Sequence, residues 1–433
     1  EDDAFERRVR TLPPEQRHDP AHAPVPPFPP DTPEVRRDWA RYYDLISLMD
    51  AEAGAILAEL EEAGLAENTI VFFFSDHGVG LPRGKRWLYD TGLHVPMMIH
   101  FPGRWRHLAP AKPGETEDRL VSFVDFGPTV LSLAGLTPPD AMQGRAFLGQ
   151  AATPARDFIF AARDRMDERY DMSRAVRNTR FKYIRNYRPR RPHCQYLEYM
   201  YQMPTMQVWE HLANTGQLDG PAALFMAPAK AIEELYDLEN DPHEMNNLAE
   251  KPDHRATLDR MRAALRDWML ETRDLGLLPE DEMYRRADGQ PPALMAREAA
   301  FPVARMLDAA NLPLQGTAAK NALLETLKDN DPSTRFWGAT GLDTIDEFGE
   351  PVKQALKEAL KDAAPAVRIA AAEALARRGE CEEAWPVLGE AVRHEDSLVR
   401  LAALQVLDNL GAAAWVRIAA RSKATKRVVI GRT

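Results

Sequence analysis

Residues 69–78 read TIVFFFSDHG. An apolar run from Ile70 to Phe74 leads almost directly into Asp76, His77 and Gly78, and a carboxylate beside an imidazole at the end of a buried strand has three uses. It can hold a divalent cation, act as an acid and base pair, or close its own turn. Nine residues after Asp76 a lysine, Lys85, stands on a glycine-flanked loop in GVGLPRGKRWLYDTGLHVPMMIHFPG, ahead of Tyr89, Gly92 and the strand entry Val95-Pro96.

The elements that must position these residues follow from periodicity. Residues 34–64 carry Tyr43, Ile46, Met49, Ile56, Leu57 and Leu60 at helical spacing with charge opposite, and Gly64 supplies a stop. Residues 70–74 and 95–101 read as buried strands, which predicts the α/β rhythm of a mainly parallel sheet whose ligands sit beyond the strand ends. Residues 121–123 are a third candidate strand, with a helix over 128–134. Upstream, prolines crowd residues 13–33 and predict an extended surface segment. Downstream, FIFAA and AVRNTRFKYIRNY alternate around a turn, a hairpin signal, and residues 256–272 form an amphipathic helix.

A separate pattern begins near Asn321. LLETLKDNDPSTRFWGATGL, ALKEALKDAAPAVRIAAAEAL and VLGEAVRHEDSLVRLAALQVL align with one another, which puts Arg335, Arg368 and Arg400 in equivalent places as scaffold residues. Such self-similarity predicts a solenoid of helical pairs, and these repeats look like HEAT repeats. The divisions expected are 1–155 and 156–285 for two parts of one catalytic domain, 286–320 as a linker, 321–415 as the repeats and 416–433 as a basic tail.

The formal charge of −11 argues against nucleic acid as a partner. No apolar run approaches the ~18 residues of a membrane span. Cys194 and Cys381 lie in no metal or redox spacing and read as ordinary thiols.

The DHG at a strand end, followed by G-K-x-x-x-Y-x-x-G and a proline-led strand, resembles the sulfatase family. VSFVDFGPTVLSLAGLTPP, MQGRAFLG and ELYDLENDPHEMNNLAEKP extend the likeness, and its narrower form is similar to heparan N-sulfatases (sulfamidases). The resemblance implies an α/β fold, the C-terminal part of an alkaline phosphatase-like sulfatase domain with a small antiparallel sheet subdomain, followed here by the α-helical repeats. It implies removal of sulfate, as ester or sulfamate, from glycosaminoglycan-type sugars. Asp76 and His77 match metal ligands, with Ca²⁺ expected and Mg²⁺ or another divalent metal as alternatives. Lys85 matches a basic residue on the sulfate, and His94, Arg163 and Asp164 are the further substrate contacts expected.

Sulfatases attack through a formylglycine made from cysteine in a C-x-P-S-R or C-x-A-x-R segment, and neither cysteine here has that context. The nucleophile is therefore expected upstream of residue 1, and the chain is expected to be inactive alone. His18 and His22, in a proline-rich segment, are expected to be structural or solvated. Family habit favours a periplasmic or secreted location, and the repeats are expected to bind protein or support oligomerisation. A phosphodiesterase or phosphonate hydrolase of the same fold, or an inactive glycan-binding scaffold, are the alternatives.

Overall fold

The computed structural model describes residues 4–411; the expected basic tail lies outside the described residues. Helix α1, Pro33–Glu62, starts where Thr32 caps it by accepting a hydrogen bond from the Val35 amide, with Pro33 in the first turn. Its first half packs through Val35, Trp39 and Ala40, while Asp38 accepts from the amide and hydroxyl of Thr205 at 2.9 and 2.7 Å. Beyond Asp44 the expected apolar stripe continues, yet Ile46, Met49, Ile56 and Leu57 are exposed. The proline-rich segment ahead of it inserts Phe28 into the core. There His18 is bound to Asp44 through both its amide and its ring, whereas His22 pairs with Asp19 in solvent.

Strands β1, Val71–Phe74, and β2, Met97–His100, pair antiparallel, with Val71 opposite His100 and Phe74 opposite Met97. The expected parallel arrangement does not hold for this pair. A parallel return needs a crossover of a dozen or more residues, usually a helix, and the intervening chain forms a folded loop with only the one-turn helix Asp90–Leu93. The expected third strand is also absent: Asp125 accepts from the Ser122 amide at 2.8 Å, which turns residues Phe123–Asp125 into a 3₁₀ turn leading into α2, Phe126–Leu133.

A second sheet supplies the platform for the site. β3 (Ile159–Met166), β4 (Arg169–Arg177), β5 (Phe181–Asn186) and β6 (Glu233–Asp237) lie in sequence order, all antiparallel. Alternation splits its side chains cleanly. Met172, Val176, Tyr183 and Leu235 face helix α3, Arg255–Glu271, whose Leu258, Met261, Leu265 and Met269 cover them. Ala175, Ile184 and Tyr236 face the other way, toward Trp87, Tyr89 and Trp209. The sheet is thus a middle layer between α3 and the loop that follows β1.

Residues 286–320, expected as a linker, contain helices Pro292–Ala296 and Val303–Asn311, and Met306 and Leu307 are fully buried. Three helical pairs follow. They are α4 (Lys320–Thr326) with α5 (Pro332–Thr344), α6 (Glu350–Ala359) with α7 (Pro365–Arg377), and α8 (Cys381–Ala391) with α9 (Ser397–Leu410). The three aligned arginines each donate to two carbonyls of the turn before their own helix. Arg335 also pairs with Asp362 of the next repeat at 2.7 and 2.8 Å; the place of Asp362 is taken in the third repeat by His394. A single apolar core runs from Met172 through α3 to Leu407 in the last repeat.

Candidate functional site

β1 ends at Phe74, and Ser75 still donates to the Pro96 carbonyl, so Asp76 is the first residue released from the ladder. Its carboxylate is largely exposed. His77 is held by its neighbours: the Ser75 hydroxyl donates to the His77 carbonyl at 2.6 Å, and the ring Nδ1 lies 2.8 Å from the Gly78 carbonyl. A carbonyl only accepts, so this contact assigns the proton to Nδ1 and leaves Nε2 with its lone pair. That nitrogen sits 3.5 Å from Asp76 Oδ1. Two electron donors this close are favourable together only with a proton or a cation between them.

Lys85 is placed by backbone alone. Gly78 donates to the Gly92 carbonyl at 3.0 Å, Val79 to Thr91 at 2.9 Å and Lys85 to Val79 at 2.7 Å, folding residues 78–92 into a closed loop. The strands of this loop approach so tightly that a Cβ on Gly78 would lie 2.0 Å from the Thr91 oxygen, and one on Gly84 2.1 Å from the Val79 oxygen. The glycines flanking Lys85 are therefore a packing requirement. Arg83 and Arg86, on either side of Gly84-Lys85, have φ of 67° and 89°, a strained region for such residues.

Beneath the loop is a buried polar floor that sequence reasoning did not find. Arg83 is enclosed between the rings of Phe28 and Tyr89, at 4.7 and 3.9 Å, and donates to the carbonyls of His243 and Glu244. The Tyr89 hydroxyl donates to Glu234, as does that of Tyr236, and Asn186 donates to the same carboxylate. Asp90 is bound by Lys182 at 2.5 Å and Arg177 at 3.3 Å, and its amide donates to Glu244. Burial alone would raise the Asp90 carboxyl, but Lys182 and Arg177 outweigh it and hold it low. Burial pushes Glu244 up against the pull of Lys182, and it pushes the Tyr89 hydroxyl far up, with Glu234 adding to it. It also drives His193 down to about 4, so this imidazole stays neutral. The signal available was Lys182 and Glu234 at core-facing positions of FKYIRN and EELYD, charges that burial demands be paired.

Arg163 and Asp164 are split by strand alternation. Arg163 is buried on the loop side, 5.4 Å from the Trp87 ring, with Nε and Nη2 lacking hydrogen-bond partners among the described residues. Asp164 turns to the opposite face, where it pairs with Arg174 at 3.0 Å beside Asp274. The two residues expected on one sugar thus face opposite sides of the sheet, and only Arg163 is on the loop side. His94 follows the helical turn Asp90–Leu93, exposed, with Nδ1 3.7 Å from Asp90. His100, on β2, is exposed. Cys194 is buried and its thiol is pushed up to about 12 by that burial, the state of an inert thiol.

No group of three or more His, Cys, Asp or Glu that could hold a metal occurs among the described residues. Asp76 and His77 offer two donors, whereas a calcium ion takes six to eight. The donor pair, open to solvent and favourable with a proton or a cation between its members, fits part of a metal site.

The Sulfatase family model matches residues 6–136, and the model for the C-terminal part of N-sulphoglucosamine sulphohydrolase matches residues 82–197. HEAT repeats match residues 296–376 and 320–408. An ulvan-active sulfatase of Formosa agariphila is 44% identical over 263 residues, covering 60% of this chain and 43% of that protein. Human N-sulphoglucosamine sulphohydrolase is 31% identical over 272 residues, covering 60% of this chain and 53% of that protein. A solved structure in complex with D-glucosamine-2-N,6-O-disulfate superposes with a TM-score of 0.41 at 22% identity, over 57% of this chain and 44% of that one. The chain spans about half the length of the curated relatives it matches.

Proposed function

We propose, from the sulfatase models that match residues 6–136 and 82–197 and the HEAT repeats that follow, that this chain is part of a sulfatase and that the whole protein hydrolyses sulfate from sulfated sugars. The observation that carries the proposal is a single locked loop presenting Asp76, His77 and Lys85 from one strand end. The family uses a divalent metal and formylglycine. In this reading Asp76 and the Nε2 of His77 hold part of the metal site, with Ca²⁺ first and Mg²⁺ or another divalent ion as alternatives. When bound, the metal withdraws charge from the sulfate oxygens. Lys85 meets the same oxygens and stabilises the charge that grows as the bond to sulfur breaks. His94 and Arg163 approach the sugar, and Arg163, with two unpartnered nitrogens, is suited to a carboxylate or sulfate. The expected divisions 1–155, 156–285 and 321–415, and the upstream nucleophile, are part of the same proposal.

The relatives' names point to both sulfated polysaccharide and N-sulphated glucosamine, so N-sulfate and O-sulfate are tested together. The protein is produced from its complete coding sequence with a formylglycine-generating enzyme, and sulfate release is measured from N-sulfoglucosamine and O-sulfated hexosamines. Release is expected, with Lys85→Ala lowering kcat by about 10²–10³ and Asp76→Ala abolishing metal-dependent activity. A phosphonate or phosphodiester turned over in place of every sulfate, or glycan bound without turnover, would replace this reading.

A further inference from the structure

The repeats have been treated as an appended scaffold, but the last of them reaches the wall of the candidate site. Gln405 of α9 is 2% exposed, and both ends of its amide bind the backbone of Tyr170. The Tyr170 amide donates to Oε1 at 3.2 Å, and Nε2 donates to the Tyr170 carbonyl at 2.5 Å and to Gln195 Oε1 at 2.8 Å. This contact falls where β4 has lost its neighbour, since β5 pairs with it only from Ser173 onward. The side-chain amide thus completes a strand edge, offering the donor and acceptor that another strand would have supplied. One turn later Asp408 pairs with Arg169 at 2.8 Å.

The hairpin so gripped, residues 163–170, is fastened at its other end to the loop of Lys85. Asp167, at the turn with φ of 52°, pairs with Arg86 at 2.6 Å, and Arg163 lies over Trp87. Arg86 and Trp87 directly follow Lys85. Contacts therefore run without interruption from the third repeat, through the hairpin, to the loop that carries the candidate sulfate ligand.

We propose that the third helical repeat positions the sugar side of the site, with Gln405 and Asp408 as positioning residues that hold the 163–170 hairpin against the Lys85 loop. The partner of this repeat face is the chain's own hairpin, and the property it sets is affinity for the sugar beyond the sulfate group. The inference rests on Lys85 contacting sulfate as read above.

The test uses the full-length enzyme with a sulfated heparin-type disaccharide and with 4-nitrophenyl sulfate, which has no second sugar. Gln405→Leu is expected to raise KM for the disaccharide about five- to tenfold with kcat held within about twofold, leaving kcat/KM for 4-nitrophenyl sulfate unchanged. Gln405→Glu keeps the acceptor for the Tyr170 amide but loses both donors, and gives the same direction if the leucine variant does not fold. Hydrogen exchange is measured alongside, and amides 165–170 and 83–90 are expected to exchange faster together in either variant. Equal changes on both substrates, or none, with exchange unaltered at the hairpin, would overturn the proposal. If the wild-type enzyme turns over neither substrate, the sulfatase reading fails, and hydrogen exchange alone decides: coupled acceleration of hairpin and loop supports the proposal, and an unchanged loop refutes it.

Discussion

Arg83 shows how much of the site depends on a residue that performs no chemistry. Its guanidinium is stacked between two rings and donates to two carbonyls about 160 positions away in sequence. Its backbone is strained, and that strain is sustained by the contacts of its side chain. Arg83→Met is expected to leave those carbonyls unmet and to cost about 2–4 kcal/mol, read as a lower denaturant midpoint with unchanged slope. Asp76, His77 and Lys85 could be read from sequence because their arrangement is local: one strand end, one loop and the glycines that let it close. Arg83 could not, since its partners His243 and Glu244 lie in a turn that nothing in the local pattern connects to it. Asp164 parts from Arg163 for the converse reason, as adjacency in sequence along a strand means opposite faces in space.

Among elements, the helices and the hairpin were legible because periodicity records which face is buried. Strand direction was not: residues 95–101 read as a strand whichever way they pair, and the antiparallel choice goes with a connection that folds back on itself without a crossover helix. The packing of α5 against α7 adds a charge arrangement invisible at this level. Burial pushes Asp343 up to about 6, with Glu373 repelling it further and Arg377, Arg190 and Arg378 opposing. Burial would also raise Glu373, but Arg191, Arg377 and Arg188 dominate and hold it at about 2. A folded-state value above the unfolded one means that the fold prefers neutral Asp343. The cost of its charge therefore grows from about pH 4 and is complete above about pH 6. Asp343→Asn is expected to stabilise the protein at pH 8 by up to about 3 kcal/mol, and to give no gain below about pH 4. Thermal melts of both proteins across that range check the sign.

At the scale of the molecule, the sheet and the repeats form one folding unit in this structure. Tyr187 lies edge-on to Trp337, Trp337 donates to the Leu277 carbonyl at 2.8 Å, and Arg188 pairs with Glu373 at 3.0 Å. A chain ending at residue 290 would strip the shared core from Tyr187 and Leu277. It is expected to lose cooperative unfolding, measured by calorimetry against the full chain. Helix α1 and the first strand pair present a different surface. Ile46, Met49, Ile56 and Leu57 on α1 and Phe74 and Met98 on the strand pair leave apolar side chains exposed.

The repeats themselves are not joined alike. Arg335 bridges the first seam to Asp362; among the described residues Arg368 bonds the carbonyls of its own turn, His394 standing where the next carboxylate would be, and the second seam is bridged instead by Lys353 to Glu380 at 2.5 Å and Lys357 to Glu383 at 2.8 Å. Under mechanical load the array should therefore behave as a spring whose coils are each clamped to the next, with no seam left to yield first. A pull on the first two turns would then reach the third and, through Gln405 and Asp408, the hairpin it grips.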